Sequence, residues 1–141
     1  MLVIDASVVL KWYLPEDDRE YAERLTSEDF ELHAPDLIIA ELGNVLWKKC
    51  RAGDMDSIQS KLIADSFLRQ NIKYHSLKNL LAPALLGANE FGQTVYDWTY
   101  LALAISLDCK FVTADRRFFI AMRKTHFSKE MVWIESVSDL S

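Results

Sequence analysis

The stretch TVYDWTYLALAISLDCKFVTAD, residues 94–115, reads as a helix over Tyr96–Leu107, a short turn, and a strand over Lys110–Thr113. Between its ends most positions are apolar or small. One carboxylate stands near each end, Asp97 in the first helical turn and Asp115 just past the strand. A core-forming helix–strand unit framed by acids has two explanations. Either the acids cap helices, or both point into one site.

Outward from this unit the same alternation repeats. Leu2–Asp5 is a short apolar run ending in an acid, as in a buried strand. Ser7–Leu14 is helical and stops at Pro15. Glu16–Ser27 is a charged helical segment with Tyr21 and Leu25 one turn apart. Glu31–Ala34 is a second strand. Pro35 and Asp36 start a helix running to about Arg51, with Gly53 just past its end. Asp54–Gln70 forms another helix, with Ile58, Leu62, Ala64 and Phe67 expected inward. Ile72–His75 is a third strand. Ser76–Ala88 is helical in composition, kinked or interrupted at Pro83. Beyond the opening stretch, Arg116–Lys124 is helical and Met131–Ile134 is a last strand. Strands alternating with helices imply a parallel α/β sheet with helices on both faces.

With 141 residues, half of them hydrophobic, the chain suits one domain with one core. No run of about 18 uncharged apolar residues predicts a membrane span. Asp5 and the lack of a basic leader argue against a secretory signal. Cys50 and Cys109 are far apart and form no CxxC pair, so free thiols in a reducing cytoplasm are expected. The three His and two Cys show no zinc-ligand spacing. A formal charge of −5 argues against a general DNA-coating protein but leaves a nuclease open.

Ligands of such sheets bind beyond the C-terminal strand ends. Asp5, Glu41, Asp97 and Asp115 all fall where they can face that edge. Each has a local alternative. Thr94-Val95-Tyr96-Asp97 fits a capping box with Asp in place of Glu. Asp115 can cap the helix at Arg116, and Asp5 can bond the turn it opens. Glu41 sits inside the apolar stripe of its helix, between Leu37, Ile38 and Val45, where a carboxylate needs a partner. If the four converge, two carboxylates about 4 Å apart repel by roughly 4 kcal/mol at an effective dielectric near 20. A divalent cation relieves that repulsion. Oxygen-only ligands favour Mg²⁺ or Mn²⁺, which share their shell with phosphate. The chemistry indicated is metal-assisted phosphodiester hydrolysis.

In order and spacing, LVIDASVVLKW (2–12), APDLIIAELGNVLWK (34–48) and the opening stretch resemble the PIN-domain nucleases, closest to the VapC toxins of VapBC toxin–antitoxin pairs. The resemblance implies a single PIN-like domain over residues 1–141, with a five-stranded parallel sheet flanked by helices. It implies a catalytic and metal-binding quartet of Asp5, Glu41, Asp97 and Asp115. Ser7 and Thr113 match supporting hydroxyl positions, and Asn44 matches a frequent polar one. It also implies Mg²⁺- or Mn²⁺-dependent RNA cleavage, homodimers and inhibition by a small VapB-like antitoxin. Trp98 departs from the pattern: relatives usually carry a small residue after the third acid, so a reshaped groove or dimer contact is expected.

Lys11, Arg116 and Arg117 flank the acids and are candidate phosphate contacts, with Arg123 and Lys124 behind them. Trp12 and Tyr13 are candidates for stacking on unpaired bases or for core packing. Lys48, Lys49 and Arg51 fit a helix C-terminus equally well. A groove near Glu16–Ser27 and Asp54–Gln70 is a candidate antitoxin site. A receiver domain needs an acceptor Asp that YHSLKN (74–79) lacks, and a haloacid-dehalogenase-type phosphatase needs a second acid that DAS (5–7) lacks. The remaining alternative keeps the fold and drops the enzyme, leaving a binding or scaffold module.

Overall fold

A computed structural model describes residues 1–27 and 30–140. Five strands form the sheet: β1 (Leu2–Ile4), β2 (Leu32–Pro35), β3 (Ile72–His75), β4 (Lys110–Thr113) and β5 (Met131–Trp133). All pairings are parallel, in the order β3-β2-β1-β4-β5. The connections are helical: α1 (Ala6–Tyr13), α2 (Arg19–Ser27), α3 (Leu37–Arg51), α4 (Ser57–Leu68), α5 (Leu81–Phe91), α6 (Val95–Ser106) and α7 (Arg116–Arg123). The chain runs outward from β1 through β2 to β3, then returns past β1 to β4 and β5. The direction of winding therefore reverses between β1 and β4, which opens a crevice at their C-terminal ends.

The central strands are apolar because both faces are covered. Leu2, Val3 and Ile4 are all buried, as are Phe111, Val112 and Thr113 of β4. Helix α6 lies against β1, β2 and β4 and is covered in turn by α5. Seven successive residues, Trp98–Ala104, are consequently buried on every side. That explains why this stretch has no polar face in the sequence.

Local chemistry shifts several boundaries. Pro35 does not open a helix. It ends β2 in register with His75, and Asp36 N–H donates to the His75 carbonyl at 2.9 Å. Nor does Pro83 interrupt α5. A 3₁₀ turn at Leu77–Asn79 precedes that helix, so Pro83 falls in its first turn, where an N–H has no helical acceptor to lose. On α4, Asp56 and Gln59 form a capping box that delays the start to Ser57. Phe67 is buried as expected, and Ala64 is half-buried. Ile58 and Leu62 are not inward: they are 71% and 63% exposed. Strand β5 ends at Trp133, and Ile134 begins a 3₁₀ turn running to Leu140.

Trp98 is a core residue, 2% exposed. Its Nε1–H donates to Gly92 O at 2.8 Å, and its ring packs against Phe91, Phe118 and Phe127. Gly87 of α5 lies so close under the indole that a Cβ there would overlap the ring. The bulky residue is absorbed by a glycine on the neighbouring helix, and the expected effect on a groove or dimer contact is not what the indole does. Trp12 is buried too, donating to Ala22 O at 2.7 Å, and the Tyr13 hydroxyl accepts from Ser66 and Gln70. Both tie elements together, and the buried Trp12 presents no face to bases. Cys50 and Cys109 are free and half-buried. Among the described residues no helix is long and apolar enough to cross a membrane.

Candidate active site

Asp5 follows β1 and N-caps α1, so its carboxylate hangs over the C-terminal end of the central strand. Three donors hold it. Oδ1 accepts from Ser7 Oγ at 2.5 Å and Val8 N at 3.2 Å, and Oδ2 accepts from Thr113 Oγ1 at 2.5 Å. The two hydroxyls are aimed because each accepts a backbone N–H itself. Ala114 N donates to Ser7 Oγ, and Asp115 N donates to Thr113 Oγ1, both at 3.0 Å. The end of β4 is thereby locked to the end of β1, and the supporting roles expected of Ser7 and Thr113 have a geometry. Burial still dominates: it pushes the Asp5 carboxyl up to about 7 against the pull of Ser7, Thr113 and Val8, and Asp115 adds to the rise.

The other three acids come from separate helices. Glu41 lies one turn into α3, half-buried, and accepts a short hydrogen bond from the Tyr100 hydroxyl. Burial raises its pKa against that bond, with Asp97 and Asp115 raising it further. Asp97 is in the first turn of α6, where Thr94 caps its N–H at 3.1 Å and donates to its Oδ2 at 3.0 Å. Its pKa is raised by burial and by Asp115, against Thr94 and the Arg117 guanidinium 3.9 Å away. Asp115 N-caps α7, its Oδ1 accepting from Phe118 N at 3.3 Å. Capping and convergence are therefore not alternatives here. Asp5 and Asp115 use one carboxylate oxygen to start a helix and still repel acids on other elements.

Whether this set suits a divalent cation is a question of donors. Among the described residues, Glu41 Oε2, Asp97 Oδ1 and Asp115 Oδ2 receive no hydrogen bond from the protein, and Asp5 adds an oxygen at the floor. Four carboxylates that repel one another, three of them with an oxygen free of protein donors, fit a hard cation. Among the described residues no three His, Cys, Asp or Glu side chains are gathered closely enough to hold a metal ion as they stand.

The basic residues divide. Lys11 does not reach the site. Its Nζ donates to Asp17 O at 2.8 Å and pairs with Glu16 and Asp18 at 3.7 and 4.0 Å, fastening the turn between α1 and α2, where Asp18 has a φ of 66°. Arg117 lies beside Asp97, and the Arg116 guanidinium lies 5.9 Å over the Trp133 ring. Asn44 is exposed and lines a shallow cleft with Leu37, Ala40, Glu41 and Tyr96. Tyr100 is a site residue that the sequence reading misses. Its signal is its spacing: it lies i+3 from Asp97, on the same helix face, and a buried phenol needs an acceptor. Its ring stacks on Phe111, centroids 5.7 Å apart, and burial together with the charge of Glu41 raises its pKa.

Comparison with known proteins gives the family. The PIN domain model matches residues 2–124. Ribonuclease VapC3 of Pyrobaculum aerophilum is 37% identical over 118 residues, 82% of this chain and 90% of that protein. The crystal structure of PAE2754 from Pyrobaculum aerophilum has a TM-score of 0.71 at 26% identity, covering 99% of this chain and 88% of that one. The fold is also that of Mycobacterium tuberculosis VapC20, a sarcin-ricin loop cleaving toxin, with a TM-score of 0.65 at 16% identity over 86% of this chain and 95% of that one. The chain belongs to the PIN-domain family and is a relative of its VapC members.

Proposed function

We propose that this protein is a Mg²⁺- or Mn²⁺-dependent endoribonuclease of the VapC type. The observation that carries the proposal is the approach of Asp5, Glu41, Asp97 and Asp115, from four separate elements, to the switch point between β1 and β4. These four would hold the cation. When bound, it would supply a water of lowered pKa and a counter-charge for the phosphodiester. The chain's own contribution is orientation. Ser7 and Thr113 fix both Asp5 oxygens, and Tyr100 fixes one oxygen of Glu41. Arg117 places a positive charge beside Asp97 at the mouth, where a phosphate would arrive. Hydrolysis is expected to leave 5′-phosphate and 3′-hydroxyl ends.

The relatives' names support two further assignments: RNA as substrate and a VapB-like antitoxin as inhibitor. The outward Ile58 and Leu62, one turn apart on α4, offer an apolar stripe for that partner. We also assign a homodimer and a cytoplasmic location, on the same likeness. A test is cleavage of a mixed RNA pool by purified protein with Mg²⁺, Mn²⁺ or EDTA, beside Asp97→Asn. Metal-dependent cutting that the variant loses supports the nuclease. Cutting that survives both EDTA and the substitution refutes it.

A further inference from the structure

Outside the carboxylate site, one cleft is built of chemistry that the function above leaves unused. Arg116, Phe119, Ile120 and Arg123 follow at helical spacing along the outer face of α7, while Phe118 and Met122 turn into the core. Trp133, at the end of β5, forms the opposite wall. The Phe119 and Trp133 rings lie 5.4 Å apart, inclined at 49°. The Arg116 guanidinium sits 5.9 Å over Trp133, and that of Arg123 sits 5.8 Å over Phe119. The cleft holds about 190 Å³, and no carboxylate lines it among the described residues.

This combination is unusual for a chain of net charge −5. Two half-buried rings stay partly accessible, and each has a guanidinium over it. A nucleotide presents the complement, a flat π face beside an anionic phosphate. The position is also specific. Trp133 registers with Thr113, whose hydroxyl holds Asp5, so β5 lies two strands, about 10 Å, across the sheet from the strand that carries Asp5. Arg116 directly follows Asp115 in the chain.

We propose that this cleft binds the base of an unpaired RNA nucleotide neighbouring the cleaved phosphodiester. Trp133 stacks on the base, with Phe119 beside it, and Arg116 and Arg123 swing to the adjoining phosphates. The proposal rests on the nuclease reading above and adds to it a single-stranded substrate held to one side of the cut.

The test uses a fluorescent single-stranded RNA of about 12 nucleotides, long enough to cross one groove, with binding followed by anisotropy in Mg²⁺ on the Asp97→Asn background. Trp133→Ala is expected to weaken binding about tenfold or more, and Trp133→Phe, which keeps a ring, by about threefold at most. Arg123→Gln, a surface change that leaves the core untouched, is expected to weaken binding and lower the salt slope by about one. Affinity unchanged in Trp133→Ala and Arg123→Gln, while the otherwise unaltered protein still cuts RNA, overturns the cleft and leaves the nuclease standing. A protein that neither binds nor cuts RNA with either metal overturns both proposals together.

Discussion

Asp5→Asn should stabilise the metal-free protein at alkaline pH, although it removes a residue at the centre of the candidate site. The Asp5 carboxyl ionises at about 7 in the folded protein against 3.8 for the unfolded chain. The folded state therefore binds more protons than the unfolded one across that window, and stability falls as pH rises through it. At 1.36 kcal/mol per pKa unit, about three units correspond to about 4 kcal/mol at pH 8. Asn keeps the shape and loses the charge. Its amide N–H groups must find Ser7 Oγ or Thr113 Oγ1, which already accept one backbone N–H each, so about 1 kcal/mol is returned. A net gain of about 2–4 kcal/mol corresponds to a Tm rise on the order of 7–14 °C for a domain this size. The assay is thermal unfolding of both proteins in EDTA between pH 4 and 8. The gap should be widest at pH 8 and close toward pH 4, where the folded protein holds Asp5 protonated and the unfolded chain is about half protonated. Mn²⁺ should reverse the order by raising the Tm of the wild type alone. An Asn variant that is less stable than wild type at pH 8, or a gap independent of pH, would refute the argument that burial of charge dominates this position.

Two further outcomes are expected. Tyr100→Phe keeps the stack on Phe111 and removes the donor to Glu41, so the Mn²⁺ concentration needed to raise the Tm should increase by about tenfold or more. An unchanged titration curve would show that Glu41 needs no such support. Gly87→Ala drives a Cβ into the Trp98 indole and should cost about 1–3 kcal/mol of stability. Adding Trp98→Leu should recover part of that loss in a double-mutant cycle, and simple additivity would show that the two positions do not share the space.

The four candidate acids are legible in the sequence because each stands at a marked position. Asp5, Asp97 and Asp115 lie where a strand ends or a helix begins, and Glu41 interrupts an apolar stripe. Boundaries in a parallel α/β sheet recur at one edge. Local capping chemistry cannot be separated from convergence in the sequence, because a carboxylate has two oxygens and the structure uses them for both. Tyr100 is hidden inside a helix whose central turns are buried on every side. With no polar face, its periodicity marks no direction, and only the neighbouring α3 reveals the acceptor of its hydroxyl.

Sequence and structure part where a side chain's role depends on a distant neighbour. Ile58 and Leu62 have inward spacing, but α4 packs on α3 through another part of its surface. Lys11 sits six residues from Asp5 in sequence, yet the turn that follows it supplies closer carboxylates. Trp98 looks out of place by its chain position, whereas its fit depends on the missing Cβ of Gly87 eleven residues earlier. By itself the sequence determined the alternation of strands and helices and the parallel sheet, and it marked the four candidate acids, since these follow from hydrophobic period and backbone chemistry within a few residues. Only the tertiary structure decided which carboxylate oxygens are free, which cations face them and which aromatic rings are exposed. Those properties belong to pairs of residues brought together by packing, and no single segment encodes both members.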